Sequence, residues 1–283
     1  MIRPARSKNR SDLAKLVSGA SFEVMPFKGT EDAVLQHVPT EVPITITVTE
    51  AKGIGATIDL ATKLSRQGYN VNPHLPARQI RDGAELAAIV AQLEEAAVGR
   101  VFVLGGDAAE PVGIFPDAVS LLRALSEMGS PFDVGVTGYP EGHAKIPDQA
   151  LRAALEAKAP FASRIVTQMC FSPQTTLQWA REVAARGINV PIIVGVPGPV
   201  SRQKLIRISA GIGLGQSARF LQKQKGLLGK FFSPSGFSPN QLVGSLADSL
   251  PGSGTNIEGL RLFTFNDVAG AESWRQKTLA SLQ

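Results

Sequence analysis

Nine polar residues of this sequence stand where apolar runs end. They are Glu23, Thr49, His74, Asp107, Tyr139, Glu141, His143, Gln168 and Asn266. A carboxylic acid or an imidazole in such a place can move a proton. An amide or a hydroxyl there can hold a polar heterocycle through several donors and acceptors. Each residue alone has a plain structural reading: Glu23 as an outward-facing group, His74 as a hydrogen-bonded core histidine. Gln168 is harder to explain that way, because an amide inside Ile165-Val-Thr-Gln-Met-Cys-Phe171 needs partners. The joint placement favours a ring of converging polar groups.

The stretch that organises the rest is Val101-Phe-Val-Leu-Gly-Gly-Asp107. Its unbroken apolar run reads as a strand buried on both faces. Gly105 and Gly106 leave bare backbone where that strand ends, and Asp107 follows at its mouth. Eight such runs can be counted: 21–27, 44–49, 71–75, 100–106, 133–139, 164–171, 191–196 and 260–265. Between most of them lie stretches of helical periodicity, such as Leu86, Ile89, Val90 and Leu93. Gly68, Gly99, Gly129 and Gly187 each follow a periodic segment, as helix-ending glycines do. Eight βα units in 283 residues predict an α/β fold, a single-domain (β/α)8 barrel over residues 1–283. An open doubly wound sheet is the alternative architecture. In a barrel the polar ring lies at the C-terminal ends of the strands.

Two places break the rhythm. The first connection, 28–43, is short with a weak helical pattern. The segment 209–259 is too long for one crossover and predicts an irregular insertion before the last strand. It holds a basic stretch (Arg219, Lys223, Lys225, Lys230), a Gly/Pro/Ser-rich stretch over 233–239 and an extra helix over 241–249. The basic stretch reads either as a solvated face or as an electrostatic catch for an anionic substrate. The N-terminus through about residue 9 is expected to be a flexible tail.

Composition narrows the classes. The net charge of +5 suits small anions, while few aromatics accompany the basic residues, so nucleic acid is not expected as a partner. No apolar run approaches a membrane span or a signal sequence, and a cytoplasmic location is expected, with no membrane partner. The single cysteine, Cys170, excludes an internal disulfide and a cysteine metal cluster. His74, His143 and a carboxylate lack the spacing of a metal motif, so no metal is expected. Lys52-Gly-Ile-Gly55 opens a helix without the full dinucleotide fingerprint. No nucleophile elbow is present, and no feature specifies an oligomeric state.

Taken together, the segments resemble the methylenetetrahydrofolate reductase family. The matching pieces are Ser21-Phe-Glu23, Pro73-His-Leu75, Leu104-Gly-Gly-Asp107, Tyr139-Pro-Glu-Gly-His143, Thr167-Gln168, Pro197-Gly-Pro-Val200 and Phe263-Thr-Phe-Asn266, in family order. The resemblance implies a (β/α)8 barrel that reduces 5,10-methylenetetrahydrofolate to 5-methyltetrahydrofolate, ordinarily with FAD relaying hydride from NADH or NADPH. It implies Glu23 as the general acid, Asp107 as the acid that holds the pterin, and Gln168 as an amide for pterin or nicotinamide. Thr49, His74, Gly105, Gly106, Tyr139, His143 and Lys158 fall where the family contacts its flavin.

The departures from the family pattern bear on that flavin. An arginine is replaced by Gly105, the loop after the second strand is shortened to 50–56, Phe-Phe-Asp becomes Cys170-Phe-Ser172, and a ring-packing aromatic is replaced by Gln203. The expectation is therefore direct hydride transfer from NADH or NADPH without bound FAD. Retention of FAD, a folate-dependent one-carbon transferase and a non-catalytic folate-binding protein are the alternatives.

Overall fold

Short β-branched runs with both faces apolar can be satisfied only where helices cover one side and neighbouring strands the other. In the computed structural model, which describes residues 7–49, 51–143, 145–200 and 237–283, the eight expected runs form the eight strands. These are β1 (Ser21–Val24), β2 (Ile44–Ile46), β3 (Val71–Pro76), β4 (Arg100–Leu104), β5 (Asp133–Gly138), β6 (Arg164–Met169), β7 (Ile192–Pro197) and β8 (Ile257–Phe263). They are parallel, each pairs with its neighbour in sequence, and β8 pairs with β1 to close the barrel. The open sheet is excluded by that closing pair.

Helices alternate with the strands: α2 (Thr30–His37), α3 (Gly53–Arg66), α4 (Gly83–Glu95), α5 (Ala118–Glu127), α6 (Asp148–Lys158), α7 (Pro173–Ala185), α8 (Asn240–Ser249) and α9 (Val268–Ala280). Their apolar stripes pack on the outward strand residues, among them Phe22, Val24, Ile44, Ile46, Val101 and Val103, in one continuous core. The extra helix expected over 241–249 is α8. The basic residues Arg219, Lys223, Lys225 and Lys230, like Gln203, lie outside the described residues.

Two expectations differ from the structure. The chain before β1 was expected to be a tail through about residue 9, whereas helix α1 (Ser7–Ser18) begins at Ser7. Leu13, Leu16 and Val17 of α1 are buried, and the helix packs against α8 and α9. Gly99 does not end α4. The left-handed residue there is Ala97, at φ 56°, and Val98 N–H donates back to Leu93 O. Gly99 does not lie in the left-handed region, so glycine is not needed for that turn.

The barrel seam is tied by Asn266, which lies in the left-handed region at φ 57°. Its Oδ1 accepts from Met25 N–H at 2.7 Å, and its Nδ2 donates to Met25 O and Thr30 Oγ1 at 3.0 and 2.8 Å. Met25 O keeps Phe27 N–H and Thr30 Oγ1 as donors, but Asn266→Ala takes the acceptor from Met25 N–H, at a cost of about 1–3 kcal/mol, which corresponds to a melting temperature lower by about 2–10 °C. A thermal scan showing no change would mean that the seam does not depend on this residue.

Candidate active site

Strand alternation decides which residues face into the barrel. On β1, Phe22 and Val24 point to the outer core, so Glu23 points inward. Its side chain is 13% exposed, and its Oε2 lies 3.6 Å from Arg261 Nη1 on β8 and 3.8 Å from His74 Nε2 on β3. Burial pushes the Glu23 carboxyl up to about 7, against the pull of the Arg261 charge. The same burial, with Arg261 nearby, holds His74 well below the ordinary histidine value, so its imidazole is neutral. Glu23 thus has one cation beside it and one neutral ring. Arg261 is buried at 3% exposure; its value falls to about 10, which leaves it charged near neutrality.

Phe102 on β4 holds this cluster in place. Its ring lies 4.7 Å from the His74 ring, and the Arg261 guanidinium sits 4.7 Å above its centre. Gly135 is its neighbour on β5, where an added Cβ would meet the Phe102 ring at 2.9 Å. The glycine is what gives that ring its place.

A second group of polar side chains lies at the C-terminal rim. Gly106 has φ +91°, and a Cβ there would meet Pro76 Cβ at 3.1 Å; a turn this close to β3 requires glycine. The turn leaves Asp107 exposed at the mouth. Tyr139 and His143 pack edge-on, with ring centres 5.4 Å apart. Burial raises Tyr139 and lowers His143, and the Asp107 carboxylate acts on both, adding to the rise at Tyr139 and opposing the fall at His143.

The remaining expected residues are held by other neighbours. Thr49 sits in the turn after β2, where its carbonyl accepts from Lys52 and Gly53 N–H, and its buried Oγ1 has no hydrogen-bond partner among the described residues. Lys158, at the end of α6, is 5% exposed. Its Nζ donates to Thr137 O at 2.8 Å and to Thr137 Oγ1 at 2.7 Å, and burial lowers it to about 8.

Gln168 does not sit in a buried stretch of strand. The β6–β7 register shifts between Val166 and Met169, where Thr167 Oγ1 accepts from Gly195 N–H at 2.8 Å. The irregularity leaves Gln168 exposed, with its Oε1 accepting from Met169 N–H at 2.9 Å. Irregularities of this kind re-aim side chains beside active sites.

Glu141 is a fastener: its Oε1 accepts from Phe171 and Ser172 N–H, both at 2.7 Å, tying the β5–α6 loop to the start of α7. Burial pushes the Cys170 thiol up to about 12, which makes it inert as a nucleophile. Among the described residues, no three His, Cys, Asp or Glu side chains are grouped as a metal ion would need.

The structure therefore brings Glu23 together with His74, and Asp107 together with Tyr139 and His143. Arg261 and Phe102 were not anticipated. Arg261 did carry a signal, since a charge inside Leu260-Arg-Leu-Phe263, within a buried parallel strand, requires a partner. The arrangement is an acid near neutrality inside the barrel, with hydrogen-bonding groups on the C-terminal rim. It can hold a polar ring system and deliver a proton to it.

A sequence profile described as methylenetetrahydrofolate reductase matches residues 14–213. The chain is 35% identical over 92 residues to methylenetetrahydrofolate reductase 2 of Saccharomyces cerevisiae, a match that covers 30% of this chain and 15% of that one. It is 31% identical over 152 residues to 5,10-methylenetetrahydrofolate reductase of Pectobacterium carotovorum subsp. carotovorum, covering 52% of this chain and 50% of the other. The chain thus spans half or less of the length of these relatives. A Clostridium thermocellum protein whose solved structure is described as binding two copies of 5-methyl-5,6,7,8-tetrahydrofolic acid is similar in fold, with a TM-score of 0.56 and 11% identity over 95% of this chain and 99% of that one. No helix among the described residues is long and apolar enough to cross a membrane. With the profile matching more than half of its length and the barrel closed as the sequence implied, the chain belongs to the methylenetetrahydrofolate reductase family.

Proposed function

We propose that this protein reduces 5,10-methylenetetrahydrofolate to 5-methyltetrahydrofolate, taking hydride directly from NADH or NADPH. The observation that carries the reading is Glu23, a carboxylic acid held at about 7 on the floor of the barrel mouth in a chain of this family. Protonated Glu23 gives its proton to N10 of the folate as the bond from N10 to the methylene carbon breaks. The product of that step is the 5-iminium ion, a hydride acceptor. Hydride from nicotinamide C4 then adds to the methylene carbon. Asp107 and Gln168, both exposed at the mouth, hold the pterin and align the nicotinamide at near-attack distance, ~3–3.5 Å. A carboxyl that titrates near the working pH is suited to this step, because it is both protonated often enough and willing to release the proton. Such a reaction is expected in the cytoplasm.

Among the described residues, three positions support the reading without FAD. Of the positions the resemblance gives to a flavin, His74 is 5% exposed and turned toward Glu23, and Lys158 spends two donors on Thr137. Gly105 stands where the resemblance gives the family an arginine, which removes a charged contact to a flavin.

The purified protein is expected to be colourless in the visible and to oxidise NADH or NADPH when methylenetetrahydrofolate is added. Steady-state kinetics should follow a ternary-complex pattern, and added FAD should leave the rate unchanged. Flavin absorption bands with ping-pong kinetics would contradict direct transfer. Failure to oxidise either nicotinamide would favour a one-carbon transferase or a binding protein.

A further inference from the structure

Among the described residues, the one charged group in contact with Glu23 lies outside every motif of the resemblance. Arg261 sits in the middle of β8, 3% exposed, with its Nη1 3.6 Å from Glu23 Oε2. Its guanidinium lies over Phe102, 4.7 Å from the ring centre, and among the described residues its buried Nε has no hydrogen-bond partner. Burying a guanidinium is costly, and fold stability would be served as well or better by an apolar residue there. Its geometry is instead matched to the carboxyl in front of it.

We propose that Arg261 is the positioning residue for Glu23, fixing the carboxyl at the barrel floor and receiving the carboxylate when the proton has gone to the folate. This rests on the reading of Glu23 as the general acid. In the donation step the Glu23 O–H bond breaks, a folate N–H bond forms, and the negative charge left on Glu23 comes to lie beside a cation already in place. No reorganisation is required at that moment, which is the benefit of a preorganised charge. Phe102 holds the guanidinium from below, and Gly135 makes room for that ring.

Among the described residues, few groups face Glu23. Arg261 approaches from β8 and His74 from β3, while Thr45 is its register neighbour on β2. His74 is neutral, and its ring lies 4.7 Å from that of Phe102. Arg164 on β6 acts on Arg261 rather than on Glu23, and is itself paired with Asp133 at 3.3 Å. Of these, only Arg261 draws Glu23 toward its ionised form.

The test compares Arg261→Met, which keeps length and removes charge, with Arg261→Lys, which keeps charge and loses the planar fork. Two readouts are taken on the full chain. The first is the titration of the Glu23 carboxyl, followed by 13C NMR of protein labelled at glutamate and assigned with Glu23→Gln. It needs no substrate, so it stands whether or not the folate reaction is the right one. In Arg261→Met the midpoint should rise by about one to three pH units, the usual effect of losing an adjacent opposite charge, and Arg261→Lys should recover most of that rise. The second is the pH profile of kcat/KM for nicotinamide-dependent folate reduction. Its descending alkaline limb should move up with the midpoint in Arg261→Met, while the plateau falls. An unmoved Glu23 titration overturns the proposal. So does a plateau that falls equally at every pH with the limb in place, since that is what a merely structural arginine would do. If Arg261→Met does not fold, Arg261→Gln against Arg261→Lys gives the same contrast. A titration that moves as expected in a protein that does not reduce methylenetetrahydrofolate would leave the Arg261–Glu23 pairing standing and refute the assigned reaction.

Discussion

Glu23→Gln is expected to lower the turnover number by about 10²–10⁴-fold at neutral pH, the usual worth of a positioned acid. The substitution keeps the size and most of the hydrogen bonding of the side chain, so folate affinity should change little. The sign of the pH dependence follows from the raised value. Glu23 is an acid that works when protonated and titrates at about 7, so it is ready below that pH and spent above it. For the unchanged protein, kcat/KM should therefore fall about tenfold per pH unit on the alkaline side of neutrality. In Glu23→Gln the residual rate should lose that limb. A variant that turns over at a near-normal rate, or keeps the same alkaline limb, would remove Glu23 from the proton transfer.

The next largest effect is expected at the rim. Asp107 and Gln168 are exposed at the mouth, Asp107 on the turn made by Gly106 and Gln168 on the β6 irregularity. Changing either to Ala should weaken folate binding by about 1–3 kcal/mol, or about 5- to 150-fold in the dissociation constant, because donors and acceptors of the pterin lose their partners. Calorimetric titration with a reduced folate measures this without catalysis. Unchanged dissociation constants for both variants would place the pterin elsewhere in the barrel.

The strands and the barrel were legible because a parallel strand buried on both faces must be nearly all apolar. The two glycines before Asp107 and the bounds of α8 were legible for similarly local reasons. What escaped depends on partners distant in sequence. Helix α1 carries only a narrow apolar stripe, Leu13, Leu16 and Val17, which makes sense once α8 and α9 are there to receive it. The exposure of Gln168 comes from a register shift against β7, and no feature within 164–171 signals it. His74 reads locally as one more strand-end group; its neutral, inward role follows from Glu23 and Arg261 meeting it across the barrel. Arg261 was hidden by the apolar residues on either side of it, although that isolation was itself the clue.

Isotope transfer is the most direct test of hydride passing straight from nicotinamide to folate. NADH carrying deuterium at the transferable C4 position is mixed with methylenetetrahydrofolate and the protein in ordinary water, and the 5-methyl group of the product is examined by mass spectrometry. A carbon-bound hydride that moves in one step never meets solvent, so each product molecule should carry one deuterium in its methyl group. Relay through a group whose N–H exchanges with water would lose the label, and deuterium recovered in the solvent instead of the methyl group would contradict direct transfer.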